Sequence, residues 1–313
     1  MKLGDAEKLY VGAIGAERVY FGSELVWPLI PPFARVTVDN ALRLTVDGTP
    51  RIYIDQASEP VWTPAKLFGD GEEGAWYDPS DLSTLFQDAA GTIPVTQDGD
   101  PVGLHLDKSG NGHHRYQTSN NNRPTYRTAN GLHWIEYDGN ADFLRTDDVD
   151  FSGTDELTLL FAIHKLSDSR LGVYCELSAD SNANNGSFYF LGPSANNTTS
   201  YASLARGDAP ISNNQRVTVT GYAAGNTNII TTTHDISESE TTMRIDGSLV
   251  GTATGAKGDG NFGDYPLFFG RRNGVTLPYH GREYGFVIRS GLLDLTTIQT
   301  VEQFLAEQAG KEI

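Results

Sequence analysis

The sequence predicts an all-β protein: a jelly-roll β-sandwich with a C-terminal helix, preceded by a small N-terminal β segment. Three observations carry this. Short apolar runs recur from Trp76 to Arg289, divided by turns rich in Gly, Asn and Asp. The stretch Gly74 to Leu144 alternates apolar anchors with tight polar turns, among them Asp107-Lys-Ser-Gly-Asn-Gly112 and Asp138-Gly-Asn140. Helical spacing is confined to the end of the chain. There Leu295, Ile298, Val301, Phe304 and Leu305 form one stripe, with Asp294 to cap it and Gly310 to end it.

The segments Gly74-Ala-Trp-Tyr-Asp-Pro-Ser-Asp-Leu, Leu106-Asp-Lys-Ser-Gly-Asn-Gly-His, Asn122-Arg-Pro-Thr-Tyr and Trp134-Ile-Glu-Tyr-Asp-Gly-Asn-Ala-Asp-Phe-Leu follow one another in that order. The set resembles the opening of a laminin-G-like domain, the concanavalin A-like lectin/glucanase jelly roll, in the version found in tailed-bacteriophage tail and virion structural proteins. Gly281-Arg-Glu-Tyr-Gly-Phe-Val-Ile with the helix behind it resembles the closing element of the same domains. The resemblance spans residues 67–313. It implies the fold more strongly than any ligand, because one fold hosts many functions.

Taken in order, residues 1–30 hold a small repeat. Lys8-Leu-Tyr-Val-Gly12 is echoed by Arg18-Val-Tyr-Phe-Gly22, and Leu25-Val-Trp-Pro28 closes the set. Two such strands bury too little to stand alone, so the segment needs a partner surface. It resembles the N-terminal segments of phage tail-associated proteins and is read as an assembly anchor; a hairpin decorating the main domain is the alternative. Residues 31–66 read as a small β unit and linker, with runs at Ala34–Asp39, Ala41–Val46 and Arg51–Asp55. Further on, Glu156–His164 suits a strand buried on both faces. The runs Leu171–Leu177, Ser187–Leu191, Tyr201–Arg206, Arg216–Tyr222, Asn228–His234, Thr241–Ile245, Leu249–Ala253, Leu267–Gly270 and Tyr284–Arg289 follow. Period-two alternation predicts burial of Leu159, Phe161, Ile163, Phe188, Phe190, Val217, Val219, Phe268, Phe286 and Ile288.

Composition narrows the function classes. With 40 acidic and 23 basic residues the net charge is −17, which repels nucleic-acid backbones, so no nucleic-acid partner is expected. The single cysteine, Cys175, precludes an intrachain disulfide and reads as a buried small hydrophobe. The N-terminus carries no signal-peptide pattern and no run has the length of a membrane span, so membrane insertion is not expected. Synthesis in a host cytoplasm and residence in a virion fit that pattern.

Few motifs carry catalytic chemistry. Glu136-Tyr-Asp138 places two carboxylates on one face of a strand, a pattern similar to glucanases of this fold. Asn140 stands where the third carboxylate would fall, so that strand cannot supply both acid and nucleophile. Calcium is the one cofactor considered: Asp107, Ser109 and Asn111 offer oxygens at alternate positions, with Asp78, Asp138 and Asp142 as helpers, against a turn that bonds only to itself. Arg206, Asp208, Arg271, Asn273, Tyr279 and His280, with the amide-rich loops of 179–200, form the vocabulary of a glycan reader: rings, amides and cations on loops.

The resulting expectation is a non-enzymatic virion protein. Its N-terminal segment would bind other virion proteins, its laminin-G-like domain would meet host glycans, and it would form a homo-oligomer. The rivals are a glycan-cleaving depolymerase whose second carboxylate comes from Glu283 or Asp246, and a bacterial surface adhesin.

Overall fold

In the computed structural model the chain divides into two compact units, Met1–Trp62 and Thr63–Ile313. The structure describes residues 62–313 and, nearer the N-terminus, five short strands. Of these, β1 (Leu9–Val11), β2 (Val19–Phe21) and β3 (Glu24–Leu25) form one antiparallel sheet, and β4 (Ala34–Val36) pairs with β5 (Leu42–Leu44). The strand expected at Arg51–Asp55 lies outside the described residues.

The second unit is an all-β sandwich of two antiparallel sheets with one C-terminal helix. Sheet one runs, in spatial order, β10 (Thr125–Ala129), β11 (Leu132–Asp138), β22 (His280–Ser290), β13 (Glu156–Lys165), β18 (Thr227–Asp235), β19 (Glu240–Ile245) and β20 (Ser248–Ala253). In addition β6 (Gly74–Tyr77) pairs with β22. Sheet two runs β17 (Arg216–Thr220), β16 (Ser200–Arg206), β15 (Ser187–Leu191), β14 (Val173–Leu177), β21 (Asp264–Phe269), β12 (Leu144–Asp150), β9 (Arg115–Tyr116), β8 (Leu104–His105) and β7 (Leu85–Phe86).

Between the sheets lies an aromatic core. Phe161 meets Phe190 edge-on at 4.8 Å, and Phe269 meets Phe286 edge-on at 4.9 Å. All ten side chains that the alternation predicts to be buried are buried, nine of them in this core together with Cys175; Phe268 is buried instead on the outer face of sheet two, beside Arg145. Each such large side chain is worth about 1.5–3 kcal/mol.

Helix α1 (Leu295–Gln308) packs on the outer face of sheet one, over β13, β18 and β22. The Asp294 side chain caps it by accepting from Thr297 N. Gly310 follows its end at φ +63°, a conformation L residues rarely adopt. Gly285 on β22 permits the close approach, since a Cβ there would stand 2.8 Å from Leu305 Cδ2. Helix cover is why β13 is buried on both faces: Leu159 and Phe161 face the other sheet while α1 covers the opposite face.

Two details correct the sequence reading. Leu295 is 54% exposed, because it sits at the first helical position, beyond the covered part of the stripe. Glu302 is instead buried on the packing face, where it accepts from Thr231 Oγ1 at 2.8 Å and pairs with Arg244 at 2.9 Å. The Asp138-Gly-Asn140 turn is sharp, with Asp138 Oδ1 accepting from the amides of Asn140, Ala141 and Asp142. As the sequence predicts, it lies between two strands, β11 of sheet one and β12 of sheet two.

Candidate functional site

The registers of seven neighbouring strands of sheet two set one side chain from each on a single line. Tyr116 of β9 pairs with Arg145 of β12, and Arg145 with Phe268 of β21. Phe268 pairs with Glu176 of β14, and Glu176 with Tyr189 of β15. Tyr189 pairs with Leu204 of β16, and Leu204 with Arg216 of β17. Directly paired residues point to the same side of a sheet. Their chain neighbours Leu144, Leu267, Leu177, Phe188, Phe190, Ala205 and Val217 enter the core, so the row faces outward, with rings and charges interleaved.

Cations hold the row in place. The Arg145 guanidinium lies 6.0 Å from the Tyr116 ring and 5.5 Å from the Phe268 ring. Tyr116 donates its hydroxyl to Asp147 at 2.7 Å. Arg272 stands 5.8 Å over Tyr189, donates to Glu176 at 2.7 Å and lies 3.8 Å from Asp180. Glu176 is fully buried and also accepts from Ser181 N at 2.7 Å. Burial pushes its carboxyl above the ordinary range, while Arg272 and Ser181 pull it back. Arg206, at the end of β16, donates to Asn182 O at 3.1 Å and to Asn185 Oδ1.

These bonds draw the 178–186 and 270–278 segments over the middle of the row. Leu171, Ile211 and Leu277 pack there against an outer apolar set of Val173, Tyr189, Leu191, Ala202 and Leu204. At the ends, Tyr116, Arg145 and Arg216 are half-buried. Guanidinium planes, ring faces and amides on one line can hold sugar rings and their hydroxyl or carboxylate groups.

The structure gathers part of the sequence-predicted set and scatters the rest. Arg206 and the 179–186 amides meet at the row, and Arg271 and Asn273 stand in the turn bridged by Arg272 and Thr276. Arg272 lies within the same 271–273 run, whereas Glu176, Tyr189 and Arg145 are not apparent from the sequence. Asp208 is exposed and accepts from Asp259 N at 2.8 Å. Tyr279 does not fit a stacking role: it is 0% exposed, with its ring against Tyr137 and Tyr174 in the core. His280 is exposed, but on β22 opposite Asp138, in the other sheet.

The calcium reading also fails to fit the geometry. The Asp107 carboxylate already accepts from Trp76 N, Ser109 N, Ser109 Oγ, Gly112 N and His113 N. Ser109 Oγ donates to Asp107, and Asn111 Nδ2 donates to Glu72 O and Gly74 O. The side-chain oxygens of Asp107 and Ser109 are thus engaged, within the loop and with β6. Asp78 is likewise engaged, by Ser80, Lys108 and Gln308.

The carboxylates of a depolymerase reading are engaged too. Glu136 accepts from Arg282 Nε at 3.0 Å and from Trp134 Nε1 at 3.2 Å. Glu283 is fully buried between the sheets, bound by both Arg115 Nη atoms and facing Tyr137. Asp246 accepts from Asn228, Ile229 N and Lys311. Among the described residues no helix is long and apolar enough to cross a membrane.

No family model matches the sequence, and no curated protein matches it. Among solved structures, the chain is similar to the receptor binding domain of botulinum neurotoxin D, at 14% identity and a TM-score of 0.48, over 64% of this chain and 49% of that one. It is similar to the botulinum neurotoxin serotype G binding domain at 13% identity and a TM-score of 0.48, over 64% of this chain and 48% of that one. The serotype D ligand binding domain in complex with N-acetylneuraminic acid aligns at 12% identity and a TM-score of 0.45, over 67% of this chain and 49% of that one. The chain thus spans about half the length of the structures it matches.

Proposed function

We propose that this protein is a non-enzymatic structural component of a bacteriophage virion, in the tail, a fibre or a head decoration, whose β-sandwich binds host surface glycans. The cross-strand row from Tyr116 to Arg216 carries the binding part of this reading. At its half-buried ends it offers a ring face, Tyr116, and the fork-shaped donors Arg145 and Arg216. The virion part rests on the resemblance of residues 67–313 to laminin-G-like phage domains. The N-terminal unit then attaches the protein to other virion proteins, in a homo-oligomer. The engagement of Glu136, Glu283 and Asp246 by neighbouring donors favours binding over cleavage.

Two measurements test this reading. Gold-labelled antibody against the protein should decorate intact phage particles in electron micrographs. Particles that stay unlabelled while the antibody still recovers the protein from lysate would remove the virion assignment. Incubation with host polysaccharide should retain the protein without releasing reducing ends, and steady release would turn the reading to the depolymerase.

A further inference from the structure

The arginines of the two faces are treated differently. Around sheet one and its connections, Arg127, Arg244, Arg282 and Arg289 each meet a carboxylate. On the outer face of sheet two, Arg145, Arg206 and Arg216, with Arg271 in the adjoining turn, have no ion pair among the described residues. Their partners are weaker. Arg145 Nε donates to Thr146 O at 3.1 Å, Arg206 to Asn182 and Asn185, and Arg271 to Val275 O. The Nε atoms of Arg206, Arg216 and Arg271 are buried without any hydrogen-bond partner.

The acidic groups nearest the middle of the row and Tyr116 are already in use, while Asp148 and Asp264 stand exposed further along β12 and β21. Arg272 takes Glu176 and lies near Asp180, and Tyr116 donates to Asp147. In a chain of net charge −17 there is no shortage of carboxylates to neutralise these cations, so their concentration on one face needs another partner. Unmade charged hydrogen bonds are costly, and a guanidinium fork matches a carboxylate in two-point geometry.

We infer that the ligand of this face is an acidic polysaccharide, carrying carboxylate groups that Arg145 and Arg216 bind at the two open ends of the row. The inference rests on the glycan-binding reading and narrows it to a substrate class. Arg206, Arg271 and Arg272 set the positive field between the ends. The half-buried Tyr116 ring, beside Arg145 at one open end, gives the sugar its stacking face.

The test measures retention of the full chain on four immobilised polymers: polygalacturonate, hyaluronate, methyl-esterified polygalacturonate and dextran. Binding is expected to at least one carboxylated polymer and not to dextran, weakening as salt is raised, with the methyl ester bound more weakly than polygalacturonate. Combined Arg145→Ala and Arg216→Ala should weaken binding by about tenfold or more, the scale of lost charged hydrogen bonds. Arg127→Ala, on sheet one, should bind like the unaltered chain. Melting curves of the variants separate loss of binding from loss of fold. Binding to dextran alone would overturn the acidic class and leave the glycan reading standing. Binding to none of the four, with the fold intact, would overturn both.

Discussion

The two outer faces of the sandwich solve opposite problems. Sheet one is closed by α1: Ile298, Val301 and Leu305 are buried on it, and its one buried charge there, Glu302, is answered by Arg244 and Thr231. Sheet two carries no α-helix among the described residues; loops cross its middle, and at its half-buried ends Arg145 and Arg216 stand outside any ion pair among the described residues. A face whose charges are satisfied from within adds to stability. A face whose arginines lack carboxylate partners is the side on which the proposed ligand is expected. On the proposed reading the comparison gives stability to one side and binding to the other, and substitutions can break it.

The largest effects should fall on the helix side. Truncation after Gly291 should lower the melting temperature sharply or prevent folding, and an unchanged melt would end the claim that α1 closes the sheet. Leu305→Ala should cost about 2–5 kcal/mol through the cavity it leaves. Arg244→Ala should cost about 3–5 kcal/mol, because it strands the Glu302 carboxylate in the interior. Urea denaturation reads both. If either costs as little as a surface substitution, the helix interface is looser than its burial indicates.

A pH effect of intermediate size should come from the crossing between the sheets. Asp142 is 7% exposed, and burial, reinforced by the nearby Asp138 charge, pushes its pKa up to about 7 from 3.8. The folded state therefore holds a proton that the unfolded state releases above about pH 4. Stability from this group is full below that point and is lost as pH rises toward 7, by at most on the order of 4 kcal/mol. Asp142→Asn should flatten this part of the melting-temperature profile, between about pH 4 and 7. A variant that follows the unaltered curve would show that Asp142 titrates normally.

The smallest stability effects should fall on sheet two. Tyr116→Ala and Arg145→Ala, at half-buried sites, should each change stability by no more than about 1 kcal/mol while reducing glycan retention. A large loss of stability at either position would make this face structural as well and blur the contrast.

The two faces also differ in how legible they were. Long strands were readable because alternation and apolar runs survive over several residues: Ser187–Leu191 appears as expected, and Glu156–Lys165 extends its expected run by one residue. The two-residue strands at Leu85, Leu104 and Arg115 are too short to show a period. The candidate site was hidden for a different reason. Its row draws one residue from each of seven strands, spread from Tyr116 to Phe268, and only the pairing registers align them. Loop composition pointed to Arg206 and Arg271, yet it also pointed to Tyr279, whose ring the core encloses. Glu302 broke the apolar stripe of α1 because its partners, Thr231 and Arg244, lie on distant strands.

Hydrogen-exchange mass spectrometry of the full chain, with and without a bound acidic polysaccharide, tests the division of labour most directly. Slower exchange is predicted in peptides covering residues 114–118, 143–148, 176–191, 200–216 and 264–276, with α1 and β18 to β20 unchanged. Protection concentrated on α1 and sheet one, with sheet two unaltered, would contradict the assignment of recognition to the row.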